Sequence, residues 1–207
     1  MPDSRTEARK SPSQERSRRT VERILDTAAR IFHEQGYAGA TTNDVADEAG
    51  VSVGSLYQYF PNKDALLVAL TRRHIESTTA GLAYLLSRMN ANVGFDTILR
   101  RVVDFLVEQH DLDDLHLLVM HQAPRTQEIS IELERAKSQL VDLAEQLLVS
   151  RIKDPRHRTL AARMVVATID AGVHDVILRQ PRGKARRSAT EITISTALSI
   201  IERSRAI

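Results

Sequence analysis

Apolar residues return every three or four positions along nearly the whole chain, the repeat of a helix that buries one face. Val21, Ile24, Leu25, Ala28, Ile31 and Phe32 form the first such stripe, and Gly36 after it offers a left-handed stop. Thr41-Thr42-Asn43-Asp44 sets a hydroxyl three residues ahead of a carboxylate, a helix-start pattern, and predicts a short second helix through Val45, Ala46 and Ala49 that Gly50 ends. After Gly50-Val51-Ser52 a third short helix puts Val53, Leu56 and Phe60 in one quadrant. Pro61-Asn62 stops it, and the Asn62 side chain can cap a fourth helix beginning at Lys63. The spacing then predicts helices over 63–87, 94–110, 113–122, 127–151, 156–178 and 187–204, with breaks at Asn90-Ala91-Asn92, Asp111, Pro124, Asp154-Pro155 and Gln180–Gly183. No strand alternation competes, so the expected class is all-α with about nine helices.

The third helix is unusual on its outward side. Gly54, Ser55, Gln58 and Tyr59 fall opposite the apolar quadrant, and this side is polar but uncharged. A solvated face would be filled with Lys and Glu, so the composition suggests a surface that touches a partner. Two short helices joined by a Gly-containing turn have the geometry of a helix-turn-helix, whose second helix enters the DNA major groove. Ala46 is small where the two helices would cross, Gly50 supplies the turn, and Val45, Val51 and Leu56 can fill the wedge between them.

The stretch TTNDVADEAGVSVGSLYQYFPNKDAL, within residues 17–66, resembles the DNA-binding domain of the TetR family of transcriptional repressors. The shared pattern is a threonine-rich start, an Ala-Gly-Val-Ser turn, a Leu-Tyr-x-Tyr/His-Phe recognition helix and a lysine opening the fourth helix. Beyond Leu70 the resemblance extends only to length and helical content. It implies that Thr42, Ser52, Ser55, Tyr57, Tyr59 and Lys63 contact the phosphate backbone or groove rim, and that Asn43, Val53 and Gly54 can meet base edges. The chemistry agrees, because hydroxyls donate to phosphate oxygens and a glycine admits close backbone approach.

Charge changes this picture in one respect. The 207 residues carry a formal net charge of only +2. From Arg16 to Lys63 six cations meet six anions, so the predicted domain is not a basic patch. Residues 1–20 are more basic, with six cations against three anions, and residues 1–15 read as a flexible arm. The expected organisation is that arm, a helix-turn-helix domain over 16–62, and an effector-binding and dimerisation domain over 63–207. Hydrophobic residues make up 42% of the chain, enough for a real core, and cysteine is absent, so no disulfide framework or thiolate metal site is available. The N-terminal stretch lacks the apolar run of a secretory signal and no segment approaches a membrane span, which points to a cytoplasmic protein with no membrane partner.

The helix predicted from Arg156 is apolar on nearly every side and the last helix shares the excess. Two such helices are explained if each buries one face in its own core and one against a symmetric copy. Ala161, Val165, Gly172, Val176, Ile194, Leu198 and Ile201 are the expected positions of that homodimer interface, which would present two DNA-binding heads to a palindromic operator. His74, His110, His116, His121, Gln122, Arg125 and His174 are scattered through the middle helices. The resemblance implies an effector pocket there for a small apolar or amphipathic molecule, with His74, His116, His121, Gln122 and His174 as candidate lining. His116 and His121 are five apart, the wrong step for two ligands on one helical face, and no H-E-x-x-H occurs, so neither metal nor cofactor is expected. Asp111, Asp113 and Asp114 make one defective copy of the paired aspartates that helical prenyl-transferring enzymes need twice, and read better as a helix start; no enzyme is expected. The expectation is a DNA-binding transcriptional regulator, a repressor released by an effector, with a TetR-like activator, a ligand-independent regulator or a helical interaction module without DNA binding as alternatives.

Overall fold

The computed structural model describes residues 15–89, 93–112 and 126–206. The described residues form eight α-helices and no strand. They are α1 (Glu15–Gly39), α2 (Thr42–Glu48), α3 (Val53–Tyr59), α4 (Lys63–Ser87), α5 (Phe95–Leu112), α6 (Gln127–Leu148), α7 (Pro155–Ala171) and α8 (Lys184–Ala206). A π-helical turn, Gly172–Ile177, continues α7. The helix expected over 113–122 lies outside the described residues.

Two compact units share these helices. One holds residues 15–76 with 126–132, and the other the described residues of 77–112 with 133–206. The expected domain boundary before Lys63 coincides with the start of α4, whereas the division between units falls later in that helix, after Glu76.

In the first unit the stripe of α1 is buried as its spacing requires, with Ile24, Ala28, Ile31 and Phe32 fully inaccessible. Leu56 from α3, Phe60 at the C-terminal cap of that helix, and Leu66, Leu67 and Leu70 from α4 complete that core. Each such side chain contributes roughly 1.5–3 kcal/mol of burial. Gly36 breaks α1 with φ 71° and ψ 160°, so the stop is not left-handed helical but an extended positive-φ conformation that essentially only glycine adopts. Thr41 and Asp44 cap α2 reciprocally. At its other end Val51 N–H donates to the Ala46 carbonyl at 3.0 Å and Gly50 N–H to that of Asp47 at 3.1 Å, with Gly50 at φ 62°. These two bonds close a Schellman motif and turn the chain sharply into α3. The Asn62 side chain accepts from Ala65 N–H at 2.8 Å and starts α4 as expected.

In the second unit Val103 of α5, Leu148 of α6, Ala161, Ala162 and Val165 of α7, Val173 and Ile177 of the π turn, and Ile194 and Ala197 of α8 share one core. Asp154 caps α7 by accepting from Arg156 and His157 N–H, and the amide bonds hold its carboxylate below the usual range. The spacing predicted an unbroken helix to 178; instead Leu178 N–H reaches back five residues to the Val173 carbonyl at 3.0 Å, and the turn widens.

The expected interface positions need correction. Ala161, Val165, Ile194 and Ile201 are at most 5% exposed in the single chain. Gly172 is buried too, and a Cβ there would lie 2.6 Å from Thr193 Oγ1, so it marks where the π turn and α8 meet within one chain. Leu198 packs against the same core, and only Val176 stands substantially exposed. The outward apolar side chains are Leu160 and Met164 of α7, Val176, and Ile192 of α8. Helices apolar on all sides give no periodicity from which the inward side can be told.

Candidate nucleic-acid interface

All nine residues expected at the DNA surface lie in the first unit. Ser52 is exposed and caps α3, its Oγ accepting from Ser55 N–H at 3.1 Å and sharing a hydrogen bond with Ser55 Oγ at 2.8 Å. Thr42 Oγ1, on the first turn of α2, shares a hydrogen bond with Tyr57 Oη at 3.0 Å, which ties α3 to α2. Asn43 and Gly54 are exposed, Thr42, Val53 and Ser55 half-buried, and Tyr57 is 38% exposed. A Cβ built on Gly54 would meet nothing closer than Ser52 Oγ at 4.0 Å. The fold therefore does not require glycine here; an outside partner could.

Tyr59 departs from expectation. It is only 9% exposed, and its Oη lies 2.8 Å from Ser17 Oγ of α1. Three residues after Leu56, it stands about 60° from the buried stripe rather than opposite it. Its phenol is turned to the protein and not to a phosphate. Gln58, exposed on the same helix, belongs with the outward set and was not among the expected contacts. Its signal was legible, since a carboxamide on an uncharged helical face has the donor and acceptor to pair with a base edge.

Lys63 also turns inward. Its Nζ donates to the carbonyls of Tyr37 at 2.6 Å, Ala40 at 2.9 Å and Ala38 at 3.4 Å, and sits 4.4 Å from the centre of the Tyr37 ring. An ammonium has three N–H donors, and here three carbonyls from the end of α1 and the residue after it face them. Tyr37 in turn donates to Asp64, and burial, then that carboxylate, raises its phenol above the ordinary value. Two further cations are paired with carboxylates, Arg30 with Glu48 and Glu34, and Arg73 with Asp26 at 2.6 Å. The exposed side of α3 is thus built from hydroxyls, an amide and bare backbone.

Residues 24–70 match the sequence pattern of the bacterial regulatory proteins of the tetR family. Over these residues the chain carries the N-terminal segment of the tetR family. The transcriptional activator FasR of Mycolicibacterium smegmatis is 25% identical over 177 residues, which cover 84% of this chain and 79% of that protein. The fatty acid degradation regulator FadR of Bacillus halodurans superposes with a TM-score of 0.67 at 20% identity, over 86% of this chain and 94% of that one. A transcriptional regulator FadR from Bacillus subtilis in complex with stearoyl-CoA superposes with a TM-score of 0.62 at 19% identity, over 88% and 96%. The chain therefore shares the fold of these two FadR regulators along most of its length.

The expected effector residues divide between the units. His74 lies on α4 within the first unit, His174 lies in the second, and His116, His121, Gln122 and Arg125 fall outside the described residues. His174, on the π turn, sits 2.8 Å from Asp170 Oδ1, and Lys137 Nζ of α6 lies 3.3 Å from Asp170 Oδ2. The ring of His110 on α5, 4% exposed, meets that of His174 edge to face with centres 4.9 Å apart. Burial works to raise the Asp170 carboxyl, but His174 and Lys137 outweigh it and hold the group below the usual range. Four elements thus bring one polar cluster together in the second unit. Among the described residues no group of His, Asp and Glu has the arrangement of a metal site. None of the described helices is long and apolar enough to cross a membrane.

Proposed function

We propose that this TetR-family regulator is a cytoplasmic repressor, a homodimer that binds a palindromic operator through the outward side of α3 and releases it when the second unit takes up a small amphipathic effector. The observation that carries the DNA-binding part is the hydroxyl-lined, uncharged side of α3, held by a capped helix and a Schellman turn inside the family-matching segment. Hydroxyls, an amide and close backbone approach suit groove and phosphate contacts that do not depend on a basic patch.

For the effector we favour a fatty acyl thioester. The support is the stearoyl-CoA complex of a protein with the same fold, together with the polar cluster in which the buried His110 meets His174, Asp170 and the half-exposed Lys137. A mostly apolar interior with a few convergent polar groups is the usual make-up of a small-molecule site. FasR is named an activator, and that favours activation as the second reading.

The test begins by selecting a duplex from a randomised palindromic library with the full-length protein. Stearoyl-CoA is then titrated into the complex while fluorescence anisotropy follows the duplex. A tenfold loss of affinity is expected, which requires only about 1.4 kcal/mol of differential binding between the two arrangements. Unchanged affinity at saturating stearoyl-CoA would reject this effector class. Transcription from a promoter carrying the selected duplex then distinguishes repression from activation.

A further inference from the structure

Tyr57 and Tyr59 leave α3 two residues apart, about 200° around the helix axis, and so on nearly opposite sides. Each phenol finds a hydroxyl on a different helix. Tyr57 Oη bonds Thr42 Oγ1 of α2 at 3.0 Å, and Tyr59 Oη bonds Ser17 Oγ of α1 at 2.8 Å. We propose that Ser17 and Tyr59 are positioning residues for sequence readout: their hydrogen bond fixes the roll of the recognition helix without either side chain touching DNA. The proposal rests on the DNA-binding reading above.

The reason lies in the shape of α3. With seven residues it is too short to be stable by itself, so its orientation is set by what grips it. Leu56 and Phe60, both nearly inaccessible, hold it to the core but as apolar contacts they are non-directional. Directional restraint comes from the two phenols. Side-chain tips stand roughly 5–6 Å from a helix axis, so a roll of about 10° carries them about 1 Å, enough to spoil a bidentate hydrogen bond to a base. Ser17 occupies the first turn of α1, 42 residues from its partner, so the bond also joins the start of the domain to the end of the recognition helix.

The experiment is a double-mutant cycle of Ser17→Ala and Tyr59→Phe in the full chain. Affinity is measured for the duplex selected by the wild type and for a scrambled duplex of equal length, each over a range of salt. Each single variant should weaken the selected duplex about three- to tenfold. Affinity for the scrambled duplex and the salt slope should stay as in the wild type, and the double variant should be no weaker than either single one. Circular dichroism confirms that each variant is folded at the assay temperature. Three results would overturn the proposal: additive losses in the double variant, equal loss on both duplexes, which would put the Tyr59 phenol on a phosphate, or no loss in one of the single variants. A wild type that selects no duplex would overturn the DNA-binding reading together with the positioning role of Ser17 and Tyr59, whereas a wild type that selects one while the variants match it overturns that role alone.

Discussion

Gly54 separates what the protein needs from what a partner needs. Ala at this position adds one methyl group, which the fold can accept because its nearest neighbour is Ser52 Oγ at 4.0 Å, an ordinary contact. Gly54 lies within α3 and has no positive φ, so alanine is also compatible with its backbone. The substitution removes conformational freedom from the unfolded chain and gains helix propensity, up to about 1 kcal/mol in a helix interior and roughly half that in a first turn. For a chain of this size that raises the melting temperature by about 1–3 °C. If the backbone at Gly54 approaches DNA closely, the same methyl occupies the space of the partner and operator affinity falls tenfold or more, about 1.4 kcal/mol. Thermal unfolding by circular dichroism and anisotropy titration on the selected duplex read the two effects separately. A stabilised Gly54→Ala variant that binds with wild-type affinity would refute close approach at this residue. A destabilised one would refute the open space around it.

Lys63→Met removes the ammonium from three carbonyls; stability should fall on the order of 1 kcal/mol while the salt slope of DNA binding stays unchanged, and a slope lower by about one unit would instead place Lys63 on a phosphate. Gly172→Ala drives a methyl into Thr193 and should cost about 1–3 kcal/mol in thermal unfolding, recovered in part by adding Thr193→Ala; an unchanged melting temperature would show that the two helices separate freely there. Met164→Glu and Ile192→Glu alter side chains 46% and 65% exposed in the single chain, so both should fold yet sediment as monomers, and sedimentation identical to the wild type would move the dimer interface elsewhere.

Local chemistry made much of the first unit legible. The cap at Thr41 and Asp44, the turn at Gly50 and the start at Asn62 depend on residues within a few positions of one another, so sequence alone could place them. The all-helical class followed in the same way from the three- and four-residue spacing of apolar positions.

What tertiary structure decided was direction. Tyr59 and Lys63 carry polar ends that could serve DNA or the protein equally well. Each is claimed by a group distant in sequence, Ser17 at 42 residues and the Tyr37 and Ala40 carbonyls at 26 and 23. In the second unit the composition of α7 and α8 demanded that both be covered, but only packing revealed that Ala161, Val165, Ile194 and Ile201 face their own core while Leu160, Met164 and Ile192 face outward. Likewise the meeting of His110 and His174, 64 positions apart in number, depends on where α5 and the π turn pack, and no local spacing encodes that. A helix records which residues share a face, while the identity of the neighbour on that face is a property of the folded chain.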